Sequence, residues 1–292
     1  MFKQILRAAV NTLFQHPKII RLAFLTLVFY SLVRMYFIVY YFNTVLLYKY
    51  ESGVPLSDAL IYVLEKLNNR GIIWIIGLVL VIIVGYLWLH PIGDAAIVSA
   101  LENPQQSGFK SFVKGSGKFF PMLEYSGLSI PFGMFTFLTV MLRLYLMDVL
   151  DSTFMNIVVV IWGVMVVFAS VCRSYAKIII ALEGCQVFDA IKRSTGLAFS
   201  NLGLSLKLMV VEVFLLLRFI VIGLLIVGIP LGLVYLAVWL DLIQNSFVET
   251  VIWIVAGALL LILSYINCIV EAFFLTYRYQ AYKHLRMHEQ QQ

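Results

Sequence analysis

IIWIIGLVLVIIVGYLWLHPIG, residues 72 to 93, contains no Asp, Glu, Lys or Arg. As a helix rising about 1.5 Å per residue it is about 33 Å long, which matches the roughly 30 Å hydrocarbon core of a bilayer. The rest of the chain repeats this character. Of 292 residues, 62% are hydrophobic and 12% charged, against about 25% charged in ordinary soluble domains, and the mean hydropathy is +0.97. A bilayer accepts such runs only when every backbone polar group is bonded internally, and the alternating pattern of a barrel strand is absent. The composition therefore defines an all-α polytopic membrane helix bundle, with residues 1–292 forming a single integral membrane domain.

Six transmembrane helices are expected, at about 22–46, 72–93, 125–147, 155–182, 205–229 and 250–276. The apolar stretch from Leu204 to Leu240 is too long for one span, so it must break, and "VGIPLG" (Val227 to Gly232) supplies the proline and glycines for that. Residues 228–240 are then either a short interfacial helix or a re-entrant dip. "HPIGD" (His90 to Asp94) predicts a kink at Pro91.

Cations set the orientation. Lys3, Arg7, Lys18 and Arg21, then Lys110, Lys114 and Lys118, then Arg173, Lys177, Lys192, Arg193 and Lys207, and finally Arg278, Lys283 and Arg286 fall in four regions that share one side of a six-span layout. The opposite loops carry Asp148, Asp151, Asp241 and Glu249. By the positive-inside rule both termini are cytoplasmic. No cleavable signal is evident, so the first span doubles as the insertion signal, and the bacterial cytoplasmic (inner) membrane is the expected location. Cys172, Cys185 and Cys268 are too dispersed for a disulfide framework or a metal site, and read as packing residues.

Three segments repeat. Counting from Phe2, Phe109 and Phe188, position +3 is apolar (Ile5, Phe112, Ile191), +5 basic (Arg7, Lys114, Arg193), +7 small (Ala9, Ser116, Thr195) and +11 apolar (Leu13, Phe120, Phe199). Offsets of 0, 3, 7 and 11 share one helical face. Each apolar hairpin is thus preceded by a cationic amphipathic helix, expected to lie in the cytoplasmic interface with its basic face toward anionic headgroups. "ALENPQ" (Ala100 to Gln105) and "ALEGCQ" (Ala181 to Gln186) extend the match upstream. A threefold internal repeat follows, with units of about 1–101, 102–182 and 183–292. Arg7, Lys110, Lys114, Lys192 and Arg193 form the expected lipid or partner surface.

Each first span of a pair also carries one arginine: Arg34, Arg143 and Arg218. Charges inside spans face a bundle interior or a wet cavity, or snorkel to the interface. Arg34 and Arg218 read as deeper than Arg143, and Glu212 and Glu271 are placed to neutralise them, so Arg34, Glu212 and Arg218 form a candidate intramembrane polar site. His90 and Asp94, four residues apart, read as a structural cap.

No phosphate-cradling loop, dinucleotide fingerprint, zinc-protease helix or nucleophile elbow occurs. No catalytic, cofactor-binding or metal-ligating residues are assigned, and the net charge of +6 follows from the positive-inside bias rather than from a nucleic-acid site. "ALEGCQVFDAIKRSTGLAFSNLGLSLKLMVVEVFLL" (residues 181–216) resembles the juxtamembrane signature of bacterial glycerophosphoryl diester phosphodiesterase membrane-domain-like multi-pass proteins. Glu183, Gly184, Asp189, Ala190, Ile191, Lys192, Arg193 and Ser194 carry the match. The resemblance implies a membrane module without the diesterase barrel. A non-enzymatic module that engages anionic phospholipid or a membrane protein partner is the leading expectation. The alternative is a transporter or channel for a small anionic solute.

Overall fold

The computed structural model describes residues 2–50, 69–146, 150, 152–214, 217, 218, 221 and 246–289. Among them the secondary structure is helical: α1 (Phe2–Gln15), α2 (Pro17–Tyr50), α3 (Asn69–Glu102), α4 (Gly108–Ser116), α5 (Phe119–Ser129), α6 (Met134–Leu146), α7 (Thr153–Cys172), α8 (Ala176–Glu183), α9 (Val187–Ser200), α10 (from Leu202 through Phe214) and α11 (Ser246–Glu289). Four stretches are long and apolar enough to cross a bilayer: Ile76–Glu102, Phe119–Leu146, Thr153–Glu183 and Leu261–Met287. Two bent pairs raise the number to six if each is one span: α1 with the start of α2, turned by 85°, and α9 with α10, turned by 105°. The "VGIPLG" break and residues 228–240 lie outside the described residues.

Burial divides three of the long apolar stretches into two halves. In α3 the large side chains from Leu78 to Trp88 are mostly exposed, whereas Ala95 to Leu101 are buried. The same change occurs between Phe154–Phe168 and Val171–Ala181, and again between Ile254 and Leu285 in α11. One core joins the buried halves to α1, the first turns of α2 and α9, with Ile19, Leu27, Ile97, Ile178, Ile179 and Tyr277 among its fully buried members. The exposed apolar halves suit a hydrocarbon solvent, where a large apolar surface carries no penalty.

Two expected spans are interrupted. The third breaks at residues 130–133, where Pro131 lacks a backbone donor and the chain turns before α6. The fourth is broken at Arg173–Tyr175, between α7 and α8. By contrast, α3 continues as a helix through Pro91 to Glu102.

The three short basic segments do form helices, but the register differs from the gapless alignment. In α1 the inward residues are Ile5, Ala9 and Leu13. In α4 they are Ser111 and Gly115, and in α9 Val187, Ala190, Ser194 and Ala198, one position earlier relative to the aligned phenylalanines. Small residues pack inward there because backbone lies close behind them. A Cβ at Gly115 would fall within 2.9 Å of Ala96 N, Ile92 O and Ala96 Cα. The phenylalanines instead point out, with Phe109 at 79% and Phe188 at 69% exposure.

The Gly115→Val variant should therefore separate α4 from α3 and destabilise the fold by about 1–3 kcal/mol, the usual cost of overpacking. Gly196→Ala in α9, where nothing lies within 4 Å, should stabilise by up to about 1 kcal/mol. Thermal unfolding in detergent compares the two, and equal shifts of one sign would contradict the packing described.

Candidate functional site

Three partly buried ion pairs join helices of the bundle. Lys177 of α8 donates to Asp94 of α3 at 2.6 Å, with the Asp94 side chain only 5% exposed and His90 Nε2 3.8 Å from the same carboxylate oxygen. Tyr30 of α2 stacks on His90 with ring centroids 4.2 Å apart. Arg34 of α2 donates to Glu271 of α11 at 2.5 Å and lies over the Phe135 ring of α6 at 5.4 Å. Arg278 of α11 binds both carboxylate oxygens of Glu212 in α10, through Nε to Oε1 and through Nη2 to Oε2 at 2.6 Å. These pairs cross-link α2, α3, α8, α10 and α11.

The pairing corrects the sequence reading in part. Arg34 has an acidic partner from the sixth span, as its position predicts. Glu212 binds Arg278 instead of Arg218, which is exposed. Arg34, Glu212 and Arg218 therefore do not converge on one site. Lys177, Arg278 and Arg173, grouped with the surface cations by position alone, serve as inward-directed partners. Sequence distance hides this: Asp94 and Lys177 are 83 residues apart, and only the fold shows that both lie on facing helix surfaces.

The break in the third span is closed by donors from the fourth. Arg173 Nη1 donates to Ser129 O at 3.1 Å, Nη2 to Phe132 O at 2.7 Å and Nε to Ala169 O at 3.0 Å. Trp162 Nε1 donates to Pro131 O at 3.2 Å. Two donors of the guanidinium fork, Nη1 and Nη2, thereby meet carbonyls that the break at residues 130–133 leaves free. No motif marks Arg173 for this role.

The five predicted surface cations divide into two groups. Lys114 pairs with Glu102 at 2.9 Å and Arg193 with Glu183, so both Ala-Leu-Glu span ends hold the basic residue of the helix that follows. Glu183 also accepts from Tyr282 at 3.0 Å. Arg7, Lys110 and Lys192 are exposed and carry no ion pair among the described residues. Local chemistry shapes these turns: Ser107 caps α4 by accepting from Lys110 N, and Gly184 ends α8 at φ 67°, the left-handed conformation that favours glycine. Lys18 fixes the approach to α4 by donating to Pro104 O and, at 2.8 Å, to Gln106 O.

Comparison with family models, curated proteins and solved structures finds no match to this chain.

Two outcomes follow. Lys177→Met should cost about 3–5 kcal/mol by leaving Asp94 buried without its cation, and Asp94→Leu in the same chain should restore most of the loss. Urea or thermal unfolding of the single and double variants measures the coupling. Burial, and then the Glu183 carboxylate, push the Cys185 thiol up from its ordinary value. Its thiolate is thus scarce near neutral pH, and alkylation should stay slow there and keep rising beyond pH 9. Glu183→Gln should speed the reaction at fixed pH, as followed by mass spectrometry.

Proposed function

We propose that this chain is a non-enzymatic, six-span module of a bacterial cytoplasmic membrane that engages anionic lipid through α1, α4 and α9. In this reading both termini are cytoplasmic, and the three helices lie in the inner interface. The carrying observation is the make-up of their outward surfaces: Phe109, Phe188 and Phe199 are exposed beside Lys110 and Lys192, while α1 exposes Phe14 with Arg7. An exposed phenylalanine on a basic helix suits the acyl boundary, with the cation at headgroup level. The 85° and 105° turns into the following helices support an in-plane orientation.

The magnitudes favour Arg7, Lys110 and Lys192 as the lipid contacts. A basic residue near an anionic surface contributes about 1 kcal/mol, and these three remain free of carboxylate partners. Lys114 and Arg193 already spend part of their field on Glu102 and Glu183. Those two matching pairs support an internal repeat for the second and third units, with α1 as a variant copy shifted by one position. The resemblance over residues 181–216 agrees with a membrane module.

A transporter or channel for a small anionic solute remains the second reading because of the break at residues 130–133. "SIPFG" (Ser129 to Gly133) shares Ile-Pro-x-Gly with "GIPLG" (Gly228 to Gly232), and paired broken helices build sites in many transporters. Against it, Arg34, Glu212 and Arg173 already have protein partners, leaving their charges committed.

Adding phosphatidylglycerol to the detergent-solubilised protein should raise its unfolding temperature more than phosphatidylcholine does, by the mass-action stabilisation of a bound ligand. The difference should shrink in high salt. Reversal of Arg7, Lys110 and Lys192 to Glu should remove most of the anionic-lipid increment, and an unchanged increment would sink the proposal.

A further inference from the structure

Between α7 and the elbow joining α9 to α10 lies a groove of about 490 Å³, within the roughly 300–1,000 Å³ of small-molecule sites. Gly163, Val164 and Phe168 form one side, and Phe199, Leu202 and Leu206 the other. Every lining residue is apolar. The Phe137 ring of α6 packs against α7 at Gly163, while the Phe168 and Phe199 ring centroids stand 5.9 Å apart near the elbow. From Gly163 to Val171 the groove follows α7 for about 12 Å.

We infer that this groove seats one acyl chain of an anionic diacyl phospholipid whose headgroup is held by Lys192 and Lys207. The inference rests on the reading of α9 as a basic interfacial helix and adds a defined binding position to it. An acyl chain gains no hydrophobic free energy by leaving the bilayer for a groove, because lipid tails are as apolar as leucine. Selective occupancy therefore needs close packing plus a charged contact at one end. Both are present. Phe188, Lys192 and Phe199 share a face of α9 at spacings of four and seven residues, which puts Lys192 about 10 Å along the helix from the groove's aromatic end. Lys207 directly follows the lining residue Leu206 on α10. Both lysines are exposed and carry no ion pair among the described residues, and they flank the elbow in sequence, Lys192 on α9 and Lys207 on α10, leaving their charge available to a phosphodiester anion.

The test uses the full chain in detergent, titrated with palmitoyl-oleoyl phosphatidylglycerol or the phosphatidylcholine bearing the same chains, with bound lipid read by native mass spectrometry. Wild type should retain one phosphatidylglycerol more tightly than later-bound lipids, and more tightly than phosphatidylcholine. Val164→Trp and Leu206→Trp fill the groove from opposite walls while keeping every cation, and each should weaken that first site by about tenfold, equal to about 1.4 kcal/mol. Val160→Trp, on an exposed part of α7 outside the groove, should leave it unchanged. Lys192→Gln with Lys207→Gln should remove the preference for phosphatidylglycerol. If either well-folded filling variant binds as wild type does, or if the two lipids bind alike, the groove assignment is overturned. Failure of the collar reading shows separately, as anionic-lipid stabilisation that survives reversal of Arg7 and Lys110 with Lys192 left in place.

Discussion

A charge among apolar helices must be neutralised where it stands, and the Asp94–Lys177 pair is where this constraint shapes the fold most. The Asp94 carboxylate is nearly sealed from its surroundings, so its position on α3 requires α8 to present Lys177 across from it. That requirement fixes the rotation of α8 and the place of the Arg173–Tyr175 turn before it. Arg34 with Glu271, and Arg278 with Glu212, repeat the arrangement around α11. Such pairs are weak evidence for stability, because desolvation offsets much of the attraction. Their effect is on specificity: an unpaired alternative is costly, so the helices have few other ways to assemble.

Backbone groups obey the same rule. Pro131 interrupts the third span, and the carbonyls left free are met by Arg173 and Trp162 from the neighbouring helix. A broken helix at membrane depth is tolerated when it is buried in protein that satisfies it. The short basic helices solve a different problem with a division of faces. Gly115, Ser111, Ala190 and Ser194 face the bundle, and Ser194 Oγ accepts from the Tyr175 N–H at 3.0 Å. The large aromatic groups are thereby left on the outside, where only an apolar environment suits them.

The helical membrane class was legible from residues 72–93 and their counterparts, because length and apolar character alone decide it. The three basic helices were legible from the spacing around Phe2, Phe109 and Phe188. Their facing was not: an apolar stripe was assumed to define one functional face, whereas small residues, which hydropathy hardly distinguishes, do the packing. The partner of Arg34 could be inferred because Glu271 is one of few acids in its span. Lys177 and Arg278 were misplaced because both lie near span ends, where a cation reads as a loop residue. The Ile-Pro-x-Gly at Pro131 also occurs at Pro230, so the motif alone does not locate the break. A single proline in an apolar run does not reveal whether a neighbour supplies donors for the freed carbonyls.

The central claim is that α4 and α9 lie in the membrane interface with phenylalanines inward to the acyl chains and lysines at the headgroups. Site-directed spin labelling in phosphatidylglycerol-containing nanodiscs tests it directly, with nitroxides placed singly at positions 109, 188, 110 and 192 after Cys185 is replaced by Ser. Labels at 109 and 188 should be relaxed mainly by oxygen, which concentrates in hydrocarbon, and labels at 110 and 192 mainly by a water-soluble nickel chelate. Dominant relaxation by the chelate at all four positions would place these helices in water and contradict the account.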